Sequence, residues 1–424
     1  MDIAVTPNIL NGKIQIIPSK SVAHRLLICA SLAKCETQIK VDRTNNDIEA
    51  TASCLNSMGA NIDYSDGTYT VRPISFDALP KNIVMDCGES GSTLRFLLPV
   101  IGALGQNAKI KMHGRLPLRP LSPLKELLIS KGMSITQEND TLLCSGKIES
   151  GDYEIDGGVS SQFISGLMFA LAVLDNKSNI IITGKTESKN YIDMTYNALK
   201  TFGADICESN FGFNINGKQL KSPDTIFVEG DWSNGAFWLC ASALSNMCDS
   251  TKAISVTGLD LSSAQGDKEI ADILKIFGCS ITSENRLICT AKSLTGCTID
   301  AKHIPDLVPA LCTVASIANG TTKVINAQRL RIKESDRLES IYNILTTLGG
   351  DVKITDDGLE ITGKPNLNGG TVESFGDHRI VMASAILSVI CKNKVIIKGA
   401  EAVNKSYPDF WNDFKALGGM FEIL

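Results

Sequence analysis

The chain has 424 residues, 43% of them hydrophobic, which is too long for one ordinary core and apolar enough to build two. Its 41 basic and 46 acidic residues leave a formal net charge of -5, so no nucleic acid and no anionic membrane is expected as the main partner and any basic site has to be local. No segment has the roughly 18 uninterrupted apolar residues of a membrane span, and Met1 to Pro7 carries no basic stretch followed by an apolar run, so a cytoplasmic location is expected.

An amphipathic stretch that stops on Gly recurs about every 70 residues, at Gly59, Gly132, Gly203, Gly278, Gly349 and Gly418, and the chain reads as six copies of one unit. In the first copy a strand over residues 13–17 precedes a helix opening at Pro18-Ser19-Lys20-Ser21, and residues 60–63 and 69–71 form a hairpin around Asp66-Gly67. A strand over residues 82–85 precedes Gly88-Glu89-Ser90-Gly91 in the second. The same order recurs before Ser160-Ser161-Gln162, Asp231-Trp232-Ser233, Ile304-Pro305-Asp306 and Asp377-His378-Arg379. In the fifth copy Leu338, Ile341, Tyr342, Leu345 and Leu348 follow helical spacing, and a hairpin turns at Asp357-Gly358. The sixth ends at residues 420–424 without a return strand. Residues 2–7 resemble the first copy's return strand, residues 68–73, so the N-terminus is expected to complete the last copy.

The fold class is therefore α/β, with each unit βαβαββ and three units to a lobe. The lobe boundary falls near residues 227–231, and the chain crosses a second time near residues 13–20. Two crossings make a hinge, and a hinge makes a cleft that can close. The expected lobes are residues 21–228, and residues 1–20 with 229–424. The thirteen cysteines, among them Cys29, Cys54, Cys240, Cys312 and Cys391, are scattered through mostly apolar stretches with no CxxC pair. They read as reduced core residues, and neither a metal nor a cofactor is expected.

Repeats share scaffold residues, so chemistry is sought where copies differ, and the differences are basic and polar groups at helix starts, where unpaired N–H groups favour anions. The first helix offers Lys20 and Ser21 at its cap and Arg25 one turn in, with His24 as packing or surface. Gly91 sits in a turn that a ligand could approach closely, ahead of a helix carrying Arg95. Arg119 lies in a stiff Pro-bracketed loop, pre-organised for a carboxylate or phosphate. Ser160, Ser161 and Gln162, then Ser188 and Tyr191, are neutral hydrogen-bonding groups at helix starts, suited to hydroxyls and a phosphate, with plain helix capping an equal explanation of the Ser residues. The fourth copy, with Asp231, Ser233, Gln265 and Asp267, reads as scaffold. In the fifth, Asp306 stands at a helix start, where a cap is the simpler reading, and Leu330 and Ile332 alternate with Arg329, Arg331 and Lys333, which would place these cations on one face of an extended segment ahead of Glu334 and Arg337. In the sixth, Arg379 and Lys405 open helices. His378 reads as packing before proton carrier.

With these segments in view, the chain resembles the 3-phosphoshikimate 1-carboxyvinyltransferases of the enolpyruvyl transferase family along its whole length, most specifically at residues 331–337, Gly376-Asp377-His378-Arg379, Ser160-Ser161-Gln162-Phe163 and Arg119-Pro120-Leu121. The resemblance implies two lobes, each of three βαβαββ units about a pseudo-threefold axis, with the active site in the interdomain cleft. It implies that Lys20, Ser21, Arg25, Ser160, Ser161, Gln162, Ser188, Tyr191, Asp306, Arg329 and Lys333 hold shikimate 3-phosphate, and that Lys20, Gly91, Arg119, Gln162, Arg337, Arg379 and Lys405 hold phosphoenolpyruvate. Residues 21–228 would mainly take the first substrate, and the other lobe the second together with the catalytic acid. Two departures stand out: Arg329 replaces a frequent Asn, and Glu89, Ser90 and Ser92 vary the Gly-rich turn.

The implied reaction is transfer of a carboxyvinyl group to the 5-hydroxyl of shikimate 3-phosphate by addition and elimination through a tetrahedral intermediate, with Asp306 as base and Glu334 or Lys20 handling the proton at the methylene. A monomer is expected. Rival readings are the related transferase acting on UDP-N-acetylglucosamine, whose loop at residues 114–121 would carry a Cys that is missing here, and a non-catalytic binding protein, which would leave Asp306 and Glu334 unexplained.

Overall fold

The structure, a computed structural model, describes residues 1–218, 220–283 and 285–424. Each of the six helix-ending glycines takes a positive φ, from +71° at Gly203 to +112° at Gly59. There a side chain would crowd the backbone, whereas Gly turns the chain out of the helix without strain. At Gly203 the closing bonds are complete: its amide donates to the Lys200 carbonyl and the next amide, of Ala204, reaches back to Leu199, both at 2.9 Å. The chain then enters a hairpin strand, Asp205–Ser209 in this copy.

Among the described residues the strands form six four-stranded sheets of one pattern. In the second copy Asn82–Asp86 runs parallel to Asn107–Lys111, which pairs antiparallel with Thr141–Gly146, and that with Met133–Glu138. The hairpin turn at Asp66-Gly67 has both residues at positive φ, as a two-residue turn between right-twisted strands requires. Ile3–Thr6 lies between Val395–Lys398 and Met420–Ile423, so the N-terminus does complete the sixth copy.

One expectation is corrected. The strand ahead of the first helix, Gly12–Gln15, does not join the first copy's sheet; it pairs in parallel with Ile254–Thr257 of the fourth, Ile14 opposite Val256. The first copy is completed by Thr225–Phe227, parallel to Thr37–Lys40. Each strand at a crossing thus stays with the unit the chain is leaving. Burial explains the choice, since Ile14, Ile16 and Ile17 pack in one core with Trp232 and Val256, while Ile226 packs against the other.

The chain divides into two compact units, Met1–Ile17 with Glu229–Leu424, and Pro18–Val228. Residues 18–20, expected on the other side of that division, belong to the second unit because Ser19 caps the helix Lys20–Ser31, its side chain accepting from the amide of Val22. Each unit has its own apolar core. In the Pro18–Val228 unit the leading helices of the copies, Lys20–Ser31, Gly91–Leu104 and Ser161–Leu171, are buried on most faces. Their first turns supply most of this unit's candidate residues. No helix among the described residues is long and apolar enough to cross a membrane, and all thirteen cysteines are free thiols.

The helix stops can be ranked by substitution. A Cβ at Gly203 would meet Lys221 at no less than 3.6 Å, so Gly203→Ala should cost only the left-handed backbone penalty of about 1–2 kcal/mol. At Gly349 the Cβ would lie 2.6 Å from the Asn368 amide nitrogen, so Gly349→Ala should cost more. Urea unfolding of the two variants checks the order.

Candidate active site

In the Pro18–Val228 unit the candidate residues are held by neighbouring helices. Lys20, the first residue of its helix, pairs with Asp47 at 3.1 Å on the helix Asn46–Ser57. Arg25 is 2% exposed. It donates to the Ser21 carbonyl at 2.6 Å, the Tyr191 carbonyl at 2.8 Å and the Thr195 hydroxyl at 2.8 Å, and stands over the Phe96 ring. Burial pulls its pKa down to about 10, yet it stays charged at neutral pH. Arg25 thus joins Ser21 to Tyr191, which lie far apart in sequence.

The Gly-rich turn is shaped by an arginine. A Cβ on Gly91 would sit 2.8 Å from Nη1 of Arg119, so only glycine leaves that guanidinium its place over the turn. Gln162 is fixed at both ends of its amide, accepting from Arg95 at 2.8 Å and donating to the Ser92 hydroxyl at 2.9 Å. Arg95 also donates to the Pro120 carbonyl, next to Arg119. Ser160 is the cap of its helix, accepting from the Gln162 amide. Ser161 follows as the first helical residue. Ser188 begins the helix Lys189–Thr201 with φ of +52° and no side-chain capping bond, a strained backbone for a Ser.

The other unit gathers an ionic cluster. Arg337 is 1% exposed and donates to Asp377 at 2.8 Å, to Asp306 at 2.6 Å and to Glu334 at 2.8 Å. Asp306 is also approached by Lys333 at 3.3 Å and by Arg379 at 3.4 Å. Burial alone would raise the Asp306 carboxyl, but Arg379, Lys333 and Arg337 together hold it well below the usual carboxylate range. For Lys333 burial prevails, with Arg337 and Arg329 adding to it against Asp306, and its pKa falls to about 8. Asp377 caps the helix His378–Leu387 through the Arg379 amide, fixing where Arg379 starts. Lys405, 8% exposed, closes the turn Ala400–Lys405, and His378 is buried.

Two sequence expectations fail here. Asp306 is not a cap: its helix, Val308–Ala315, has no capping side chain, and the carboxylate serves the cations instead. Residues 328–332 are not extended but form the short 3-10 helix Gln328–Ile332, so the alternation that would put Arg329, Arg331 and Lys333 on one face of a strand is absent. Leu330 is buried while Ile332 is 41% exposed, and Arg331 turns to Asp336 at 3.1 Å. A single buried leucine is anchor enough for a tight turn, and two alternating residues cannot distinguish that from a strand.

Sequence reading missed Asp47, Thr195 and the part played by Asp377. It also took Asp267 for scaffold. Asp267 is 2% exposed, accepts from the Ser233 hydroxyl, and its other oxygen is buried without a hydrogen-bond partner among the described residues. Burial first, then Asp306, raises its pKa to about 7, against the pull of Arg379. Nothing in its sequence surroundings signals this, because Asp306 and Arg379 come from other copies.

The chain as a whole has counterparts among known proteins. The family model for EPSP synthase (3-phosphoshikimate 1-carboxyvinyltransferase) matches residues 5–414. The chain belongs to this family. It is 43% identical to the 3-phosphoshikimate 1-carboxyvinyltransferase of Clostridium novyi over 99% of this chain and 98% of that one. It is 40% identical to that of Clostridioides difficile, again over 99% and 98%. The solved EPSP synthase of Acinetobacter baumannii superposes with a TM-score of 0.81 at 25% identity, covering 99% of both chains. The activity is accordingly that of a 3-phosphoshikimate 1-carboxyvinyltransferase of the shikimate pathway, in aromatic amino acid biosynthesis.

Asp267 gives a test of the electrostatics. A carboxyl whose folded pKa is raised contributes stability that is complete below its unfolded value near 3.8 and lost as pH rises through about 7. Asp267→Asn, which mimics the protonated form, should therefore unfold at nearly the wild-type temperature at pH 4 and at a higher one at pH 8. Equal differences at both pH values would show that Asp267 is not buried as a neutral acid.

Proposed function

We propose that the two sets of residues divide the two anionic substrates between them. Lys20, Ser21, Arg25, Ser160, Ser161, Gln162, Ser188, Tyr191, Asp306, Arg329 and Lys333 would hold shikimate 3-phosphate. Lys20, Gly91, Arg119, Gln162, Arg337, Arg379 and Lys405 would hold phosphoenolpyruvate. The reading is supported by the way Arg25 ties Ser21 to Tyr191, by the seating of Arg119 on Gly91, and by the gathering of Lys333, Arg337 and Arg379 around Asp306. A chain working alone in the cytoplasm fits a core buried within each unit.

The observation that carries the mechanism is Asp306 among Arg337, Lys333 and Arg379. In the substrate-free protein these cations make the carboxylate a poor base. Substrate phosphate and carboxylate groups that engage Lys333 and Arg379 draw cationic charge away from Asp306, and its proton affinity rises when a base is needed. Asp306 then takes the proton of the 5-hydroxyl as its oxygen bonds to C2 of phosphoenolpyruvate, while the methylene carbon gains a proton from Glu334 or Lys20. Loss of a proton from the new methyl group re-forms the double bond as the C2–O bond breaks and phosphate leaves. The fixed cations stabilise the charge that gathers on the departing phosphate.

Asp306→Asn keeps the shape and removes the base, so kcat for phosphate release should fall by about 100-fold or more. A variant with near-normal turnover would remove Asp306 from the chemistry. The lysine gives a pH signature. Its charge is present below about pH 8 and lost above, so KM for shikimate 3-phosphate should climb on the alkaline side, and Lys333→Arg should move that rise to higher pH.

A further inference from the structure

His24 is fully buried, yet it is bound into a chain of hydrogen bonds that crosses three helices. Its Nδ1 lies 2.7 Å from the Thr51 hydroxyl, Thr51 lies 2.6 Å from the Thr93 hydroxyl, and Thr93 donates to the Ser90 hydroxyl at 2.8 Å. Thr51, Thr93 and Ser90 are likewise fully buried. The direction of the chain follows from counting protons. Thr93 spends its one hydroxyl proton on Ser90, so Thr51 must donate to Thr93, and Nδ1 of His24 must carry the proton donated to Thr51. Burial holds the ring neutral, with a pKa near 3, which leaves Nε2 as a bare acceptor with no partner among the described residues. The edge contact with Phe96 holds the ring in this orientation.

Spacing gives the chain its consequence. Lys20 and His24 are four residues apart on one helix, and Asp47 and Thr51 are four apart on the next, so each pair shares a face. Lys20 to Asp47 and His24 to Thr51 are therefore two rungs between the same helices, one turn apart. Through Thr93 the lower rung reaches Ser90, which caps the helix starting at Gly91 by accepting from the Thr93 amide. We propose that His24 is a positioning residue for phosphoenolpyruvate, acting through Thr51, Thr93 and Ser90 to fix the Gly91 turn against the Lys20 helix. This rests on the reading above that Lys20, Gly91 and Arg119 hold that substrate.

The test uses His24→Leu, which removes the donor, His24→Asn, whose side-chain amide restores one at a similar place, and Thr93→Val, which cuts the chain at its far end. Steady-state phosphate release is followed while each substrate is varied. His24→Leu and Thr93→Val should each raise KM for phosphoenolpyruvate by about tenfold with kcat and KM for shikimate 3-phosphate within about threefold. His24→Asn should stay near wild type, and the His24→Leu/Thr93→Val pair should be no worse than either alone. His24→Asn matching His24→Leu, multiplicative effects in the pair, or parallel rises in both KM values would overturn the proposal. If His24→Leu does not fold, Thr93→Val against Thr93→Ser, which keeps the hydroxyl, decides the same question. Arg119→Lys separates the two levels: unchanged KM for phosphoenolpyruvate there would sink the substrate assignment, whereas a rise there without one in Thr93→Val would sink only the relay.

Discussion

A guanidinium with 1% exposure, that of Arg337, is the constraint on which much of the candidate site depends. A buried cation is costly unless charge and hydrogen bonds compensate it, and three carboxylates do so here. Burial lowers the hold of Arg337 on its proton, but Asp377, Glu334 and Asp306 outweigh it and raise its pKa. The three acids come from different places in the repeats: Asp306 precedes the fifth copy's first helix, Glu334 precedes its second, and Asp377 caps the first helix of the sixth. One buried side chain thereby fixes where two copies meet and in which direction Asp306 points. Lys333 and Arg379 then find a carboxylate already in place.

The Pro18–Val228 unit solves a similar problem with neutral groups. Arg25 is almost as buried as Arg337, but its partners are two carbonyls and a hydroxyl. Partial charges hold the guanidinium in position without cancelling it, so its full positive charge remains for an anion. The contrast separates two ways of holding a buried arginine: Arg25 is fixed by dipoles and Arg337 by acids.

Local signals in the sequence were reliable because local physics sets them. A helix that must stop and turn takes Gly at a positive φ whatever surrounds it, which made six copies countable and the Asp66-Gly67 hairpin legible. The exchanged strands were not legible: residues 13–15 and 225–227 have the same strand-like character, and only pairing across about 190 residues in one case and about 240 in the other tells which sheet each joins. The cations at residues 329–333 were found and their backbone misread, since tight turns and strands can both bury one leucine. Asp267, Asp47 and the His24 to Ser90 chain were missed for a common reason. Each owes its character to partners on other helices, and one sequence does not reveal which helices are neighbours.

If Arg337 organises Asp306, the two residues act as one unit, and removing either should remove much of what the other contributes. The direct measurement is kcat for phosphate release in Asp306→Asn, in Arg337→Lys, and in the double variant, with both substrates saturating. The account predicts strong non-additivity, the double variant falling little below the worse of the two single ones. A double variant whose loss equals the product of the single losses would contradict it, because Asp306 would then work independently of the guanidinium that holds it.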